Sequence, residues 1–96
     1  MAAADLTVLI LTYNEACHIG RAIRSVKSLA RRVVVVDSFS TDETVAIAED
    51  EGAEVLQHTF VNQALQFQWG MDNAAITTSW VIRLDADDTI DTPLSK

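Results

Sequence analysis

The sequence is poor in cysteine, proline and basic residues, and each shortage argues against a class of protein. A single cysteine, Cys17, among 96 residues excludes an internal disulfide and a zinc site made only of cysteines. One proline and a charged fraction of 22% argue against a disordered chain. Seven bases against fourteen acids give a net charge of −7, which argues against sequence-independent nucleic-acid binding. We therefore expect an ordered, acidic protein in a reducing, cytoplasmic setting.

Long apolar runs are also missing. A membrane span needs about 20 apolar residues, whereas the longest runs here cover 8–11 and 33–36. The first five residues lack the basic segment and long apolar core of a signal peptide. With 49% apolar residues the chain has enough material for a modest core. The sequence predicts a single domain over 1–96 without a transmembrane segment.

Short apolar, β-branched runs alternate with amphipathic stretches. Strands are predicted at 6–11, 32–36, 53–57 and 80–84, and helices from Glu15, from Ser40 to Gly52, and over 62–76. Asn14 is expected to cap the first helix, and Ser40 with Glu43 to form a capping box for the second. The order β-α-β-α-β-α-β predicts a Rossmann-like, three-layer α/β/α fold with a mainly parallel sheet.

Three polar segments follow predicted strands: 12–15, 37–40 and 85–88. In open α/β sheets, ligands bind outside the carboxyl ends of the strands, where the strand order switches. Neither G-x-G-x-x-G nor a P-loop pattern follows the first strand, so a dinucleotide-binding domain and a P-loop nucleotidase are both unexpected. The three segments are the candidate site.

Asp85, Asp87 and Asp88 place three carboxylates within four residues at a strand end. Clustered carboxylates repel one another unless a cation lies between them, and Mg²⁺ prefers such oxygens together with phosphates. A solvated acidic turn is the alternative reading of the motif alone. Position at the end of a buried strand favours the metal site.

The other two segments carry candidates with open alternatives. Asp37 has the chemistry to accept hydrogen bonds from a ribose or a base, or it serves the entry to the next helix. Tyr13 either stacks on a nucleobase or packs within its loop. Glu15 either contacts a ligand or favours the first turn of a helix. His18 and His58 share no metal-ligand spacing and are interpreted as structural.

Taken together, these loops resemble those of the family 2 glycosyltransferases with the GT-A fold. The resemblance rests on Thr-Tyr-Asn-Glu at 12–15, Val-Asp-Ser-Phe-Ser-Thr-Asp-Glu-Thr at 36–44 and Leu-Asp-Ala-Asp-Asp at 84–88. The stretch 60–69, Phe-Val-Asn-Gln-Ala-Leu-Gln-Phe-Gln-Trp, resembles bacterial members that build cell-surface polysaccharide or lipopolysaccharide.

The resemblance implies a nucleotide-diphospho-sugar donor of the UDP type and a divalent metal, Mn²⁺ or Mg²⁺. It implies that Thr12 and Tyr13 touch the base, that Glu15 lies beside the nucleotide, and that Asp37 holds the base or ribose. It further implies that Asp85 faces the ribose or a metal-bound water and that Asp87 ligates the metal. Asp85 and Asp87 are thus the metal candidates, with Asp88 as an accessory.

Two departures from the family pattern qualify these expectations. Many members carry a second acid where this chain has Ser38, which bears on base recognition. In the family, the catalytic base and the site for a glycan or lipid-linked acceptor follow well after the D-x-D segment, so the base is expected beyond Lys96. We therefore expect 1–96 to be the donor-binding half of a truncated GT-A domain, inactive alone. Association with the inner membrane face and self-association through uncovered apolar surface are further expectations.

Two other classes remain as alternatives. Asp85-x-Asp87-x-Thr89 matches the D-x-D-x-T of haloacid-dehalogenase-like phosphatases, although that motif ends the first strand of their fold and here it ends the fourth. A non-catalytic interaction module is the third class.

Overall fold

The computed structural model describes residues 4–85, in which four strands alternate with three helices. The elements are β1 (Ala4–Thr12), α1 (Ile19–Val26), β2 (Ala30–Asp37), α2 (Thr44–Asp50), β3 (Glu54–Gln57), α3 (Gln63–Asn73) and β4 (Trp80–Asp85). This is the predicted alternation of strands and helices.

The four strands form one parallel sheet with the order β3-β2-β1-β4. The chain moves outward from β1 to β3 and then returns to the other side of β1. The order therefore switches between β1 and β4. The carboxyl ends of β1, β2 and β4 lie side by side, because Leu11 pairs with Asp85 and Thr12 pairs with Asp37. The loops that follow these strands open at one edge of the sheet.

Two apolar clusters, one on each face of the sheet, form the core. One joins Val8, Ile10, Val33 and Val35 to the buried face of α1 and to Ala48 of α2. The other joins Leu9, Val34 and Val36 to Phe67, Trp69 and Ala74 on and just after α3. Successive side chains of a strand point to opposite faces, so a run such as Val33–Val36 supplies both clusters. The three-layer α/β/α prediction is confirmed.

Helix α3 is held at both ends. Asn62 caps its start by accepting a hydrogen bond from the backbone nitrogen of Leu65 at 2.9 Å, as the predicted helix boundary requires. After its end, the Arg32 guanidinium donates to the carbonyls of Ala74 (2.8 Å) and Ala75 (3.1 Å). The same guanidinium pairs with Glu54 on β3. A local cap at its start and an arginine of β2 after its end thus hold α3.

The predicted starts of the first two helices were wrong. Asn14 does not cap α1, which begins four residues later than the predicted start at Glu15, because Asn14 adopts a left-handed φ of 51° and bonds to the β2–α2 loop. Ser40 does not cap α2, since its hydroxyl binds Asp37 instead. Both side chains thus form hydrogen bonds in the loops instead of capping a helix. Gly52, with φ 91°, follows α2 as predicted for a C′ glycine.

Strand β4 carries exposed apolar side chains on one face. Trp80 and Ile82 share this face and are both exposed. Val81 and Arg83 share the opposite face, where Arg83 is exposed. Within residues 4–85, none of the helices has the length and apolar character needed to cross a bilayer.

Candidate functional site

A cleft of about 640 Å³ opens at the carboxyl edge of the sheet. It is lined by residues from all three predicted loops and from the segment before α3: Leu11, Thr12, Tyr13, Glu15, Ser38, Phe39, Thr59, Phe60, Gln63 and Asp85. Its position is the one that the strand order predicts, beside the switch between β1 and β4.

Four of the predicted site residues reach this cleft: Thr12, Tyr13, Glu15 and Asp85. The Tyr13 side chain is 56% exposed, so its ring is available to a planar ligand. Glu15 and Asp85 are partly buried carboxylates that line the same space. Glu15 lies in the loop after β1 and Asp85 ends the neighbouring strand β4, so both acids come from the two strands between which the order switches.

Asp37 has a different position from that of the other candidates. Its side chain is fully buried and does not line the cleft. Oδ1 accepts hydrogen bonds from the hydroxyls of Thr12 (2.6 Å) and Ser40 (2.5 Å), and Oδ2 accepts from the Ser40 backbone nitrogen (2.8 Å). The contact of Asp37 with a base or ribose stays a prediction. In the structure, its carboxylate ties the end of β1 to the loop after β2.

Further hydrogen bonds join the same two loops. The side-chain oxygen of Asn14 accepts from the Thr41 nitrogen at 2.8 Å, and the Asn14 nitrogen donates to the Ser40 hydroxyl at 2.8 Å. The backbone nitrogen of Glu15 donates to the Thr44 hydroxyl at 2.8 Å. The two loops therefore form one hydrogen-bonded unit that holds Tyr13 and Glu15 at the cleft.

Asp42 anchors the far side of this unit. Its carboxylate accepts from the hydroxyl and the backbone nitrogen of Thr44 and from the nitrogen of Ala16. These hydrogen bonds, chiefly the one from the Thr44 hydroxyl, lower the pKa of Asp42 below its ordinary value of 3.8. The carboxylate is thus kept charged where it orders the loops.

Two exposed aromatic residues of the cleft were not among the predicted site residues. Phe39 adopts a left-handed φ of 58°, which is an outlier for a bulky side chain. Its backbone nitrogen donates to the side-chain oxygen of Gln57 at 2.9 Å. Phe60 lines the cleft from the segment before α3. The sequence did carry a signal for Phe39, which is a bulky apolar residue within an otherwise polar loop.

A buried glutamine behind the cleft was also missed. Gln66 on α3 bonds to the Ser38 hydroxyl and to two atoms of His58. The His58 ring stacks on Trp69 with centroids 4.3 Å apart. The interpretation of His58 as structural agrees with these contacts. Ser38, which stands where many family members carry an acid, is the member of this group that lines the cleft.

The rest of the D-x-D segment lies outside the described residues. This applies to Asp87, Asp88 and Thr89, so their predicted roles stay predictions. Within residues 4–85, no three His, Cys, Asp or Glu side chains come together as a metal site. Glu15 and Asp85 supply the kind of oxygen ligands that hard divalent cations prefer, and in that respect the cleft suits such an ion.

None of the residues that line the cleft is assigned as the catalytic base. The sequence analysis expects it beyond Lys96, and Lys96 itself lies outside the described residues. The position of the base therefore stays a prediction, and no residue of 4–85 is assigned that role.

Comparison with known proteins supports the resemblance of the loops. An uncharacterized glycosyltransferase of Rickettsia felis is 40% identical over 85 residues, which cover 88% of this chain and 29% of the relative. One of Rickettsia prowazekii is 36% identical over 85 residues, covering 88% and 28%. The chain thus spans less than a third of the length of these relatives.

The fold has counterparts among solved structures. The crystal structure of glucosyl-3-phosphoglycerate synthase from Mycobacterium tuberculosis in complex with uridine-diphosphate matches with a TM-score of 0.76. The match covers 88% of this chain and 34% of that one, at 24% identity. The same enzyme in complex with Mn²⁺, uridine-diphosphate and phosphoglyceric acid gives a TM-score of 0.75. At this identity the likeness establishes the fold.

The assignment to a family rests on the sequence match itself. A family model described as Glycosyl transferase family 2 matches residues 7–94, which is most of the chain. The chain belongs to glycosyl transferase family 2.

Proposed function

We propose that this chain is the donor-binding part of a metal-dependent glycosyltransferase, which transfers a sugar from a nucleotide-diphospho-sugar to an acceptor hydroxyl. One observation carries the proposal. The cleft combines aromatic side chains after β1 and β2 with carboxylates at Asp85 and Glu15. This combination suits a nucleoside diphosphate, since its flat base can stack on an aromatic ring and its phosphates can bind a cation that the carboxylates hold.

We propose roles for the residues of the cleft. Tyr13 offers a ring for the base. Thr12 lies beside Tyr13, and its hydroxyl donates a hydrogen bond to Asp37. Asp85 is proposed to face the ribose or a metal-bound water, and Asp87 to ligate the metal. A divalent ion at this site would neutralise negative charge on the diphosphate as it leaves. Asp37 holds the two loops together, and its predicted contact with the base or ribose is tested by the Asp37→Asn variant.

The donor is proposed to be of the UDP type, and the metal Mn²⁺ or Mg²⁺. This agrees with the uridine-diphosphate and Mn²⁺ found with the mycobacterial synthase. The acceptor is proposed to be a glycan or lipid-linked hydroxyl, reached in the cytoplasm or at the inner face of the membrane. We propose that 1–96 forms a single domain whose catalytic base is supplied from outside it, and that the domain self-associates through its uncovered apolar surface.

The phosphatase alternative does not fit the sheet. Asp85 ends β4, the fourth strand along the chain and a neighbour of β1. A nucleophilic Asp of the phosphatase type is expected to end the first strand. The geometry of the cleft therefore favours the glycosyltransferase.

Titration of the chain with UDP, with and without Mn²⁺, tests the proposal by calorimetry or NMR. We expect binding that requires the metal, weakens at least tenfold in Asp85→Asn, and is unchanged in Asp50→Asn, a matched control on the exposed side of α2. Absence of any metal-dependent signal at millimolar UDP would contradict the proposal. Sugar transfer by the chain alone would contradict the expectation that it lacks the catalytic base.

A further inference from the structure

Phe39 has a backbone conformation that its residue type disfavours. Its φ is 58°, in the left-handed region, where a bulky side chain is rarely found. Glycine adopts this conformation without a steric penalty. The loop after β2 therefore carries a phenylalanine at a position where the backbone favours glycine.

Hydrogen bonds on three successive backbone nitrogens hold this conformation. The Ser38 nitrogen donates to a carbonyl at the end of β1 at 3.0 Å, and the Phe39 nitrogen donates to the side-chain oxygen of Gln57 at 2.9 Å. The Ser40 nitrogen donates to the Asp37 carboxylate at 2.8 Å. None of these three hydrogen bonds uses the Phe39 side chain, so a glycine at this position would form them too.

Burial does not account for the phenylalanine either. Phe39 is 58% exposed, so more than half of its surface stays in contact with water. Within residues 4–85 the stacked pair of rings is His58 and Trp69, and Phe39 does not stack on Tyr13. Strained residues that the fold itself does not require are concentrated at ligand sites. An exposed ring on a strained backbone beside a cleft therefore indicates contact with a ligand.

The position of Phe39 indicates which part of a ligand its ring meets. Phe39 lines the cleft from the loop after β2, and Tyr13 lines it from the loop after β1. Asp85 ends β4, which lies on the other side of β1 from β2. With the diphosphate and its metal beside Asp85, the base extends toward the loops that carry Tyr13 and Phe39.

We propose that Phe39 is a second aromatic residue that contacts the base of the nucleotide, and that its ring serves binding instead of folding. The inference rests on the proposed function and identifies a further residue of the same site. Every base has a flat face, so contact with an aromatic ring adds affinity without selecting among bases.

Three variants separate the ring from the strained backbone. Phe39→Gly removes both, Phe39→Leu removes the ring but keeps a bulky residue at the left-handed φ, and Phe39→Tyr keeps both. In calorimetry with UDP and Mn²⁺, we expect Phe39→Gly and Phe39→Leu to bind about tenfold more weakly than the unaltered chain, as for the loss of one aromatic partner of a base. Phe39→Tyr should stay within about twofold of the unaltered chain.

Urea denaturation of the same variants measures what the ring does for folding. We expect the urea midpoint of Phe39→Gly to be at least as high as that of the unaltered chain, because relief of the strained φ offsets the flexibility of glycine. Ala75 is the matched control, since it has a φ of 53°, is exposed and does not line the cleft. Ala75→Gly should raise the midpoint and leave the affinity for UDP unchanged.

Affinity and stability together distinguish a binding role from a structural one. An affinity for UDP within about twofold of the original in Phe39→Gly or Phe39→Leu overturns the inference and leaves the proposed function standing. A lower urea midpoint in Phe39→Gly overturns it as well, because the ring would then support the loop itself. Absence of UDP binding by the unaltered chain contradicts both the inference and the proposed function.

NMR of the complex tests the contact itself. Mg²⁺ replaces the paramagnetic Mn²⁺ in this experiment, because both ions bind carboxylate and phosphate oxygens. We expect nuclear Overhauser contacts between the ring protons of Phe39 and the base protons of UDP. Contacts of the Phe39 ring with the ribose alone would overturn the inference.

Discussion

Replacing Asp37 tests whether this carboxylate organises the loops of the cleft. Alanine would leave the Thr12 hydroxyl, which is 5% exposed, without its acceptor, at a cost of about 1–3 kcal/mol. The two hydrogen bonds from Ser40 add about 1 kcal/mol each, since Ser40 is half-buried and water replaces part of the loss. We expect Asp37→Ala to reduce the free energy of unfolding by about 3–5 kcal/mol.

Asparagine makes a finer test, because it preserves the shape of Asp37 while it removes the charge and one of the two acceptor oxygens. One of its two terminal atoms is an NH₂ group, so it no longer offers an acceptor to all three of the groups that now donate to Asp37. We expect Asp37→Asn to cost about 2 kcal/mol. The same substitution at the exposed Asp50 should change stability by less than about 0.5 kcal/mol.

Urea denaturation followed by tryptophan fluorescence would measure these differences, with the slope of unfolding as a check on two-state behaviour. The reasoning would be refuted if Asp37→Asn matched Asp50→Asn in stability while its affinity for UDP with Mn²⁺ collapsed. That result would mean that Asp37 contacts the nucleotide directly. A parallel loss of stability and affinity would agree with a role in holding the loops.

Three further changes probe the packing, the loops and the turn. Gly70→Ala would place a Cβ 2.8 Å from Val36 Cγ2, and we expect a net loss of about 1–2 kcal/mol because over-packing outweighs the gain in helix propensity. Hydrogen bonds, chiefly the one from the Thr44 hydroxyl, lower the pKa of Asp42 below 3.8, so its stabilising contribution is present above that pH and is lost as the pH falls through the folded-state value. The stability advantage over Asp42→Asn in urea titrations should therefore be constant from about pH 7 to about pH 5 and should shrink as the pH falls below 3.8. Gly52→Ala meets no atom within 4 Å but must adopt a φ of 91°, and a loss of about 1 kcal/mol by thermal denaturation is expected from backbone strain alone.

The layered fold could be predicted because its signals are local and repeated. Four apolar runs alternate with helical periods, and the requirement that β-α-β connections be right-handed leaves few arrangements. The location of the site followed from the rule that ligands bind outside the carboxyl ends of the strands. Tyr13, Glu15 and Asp85 do line one cleft there. Helix starts were less predictable. Asn14 and Ser40 carry the side chains of capping residues, yet both form hydrogen bonds between loops that are distant in sequence.

The hydrogen bonds behind the cleft could not be predicted, because they depend on contacts across the fold. Nothing local to Ser38 indicates that its hydroxyl accepts a hydrogen bond from Gln66, 28 residues later, whose amide is oriented by the carbonyl of His58. A glutamine on the inner face of a helix was nonetheless an available signal, since a buried amide must find partners for all its polar atoms. Such a residue, one turn before a glycine packed on the sheet, is constrained more by what it bonds than by its own helix. The arrangement of a candidate site therefore depends partly on side chains behind it, such as Gln66, that do not line the cleft.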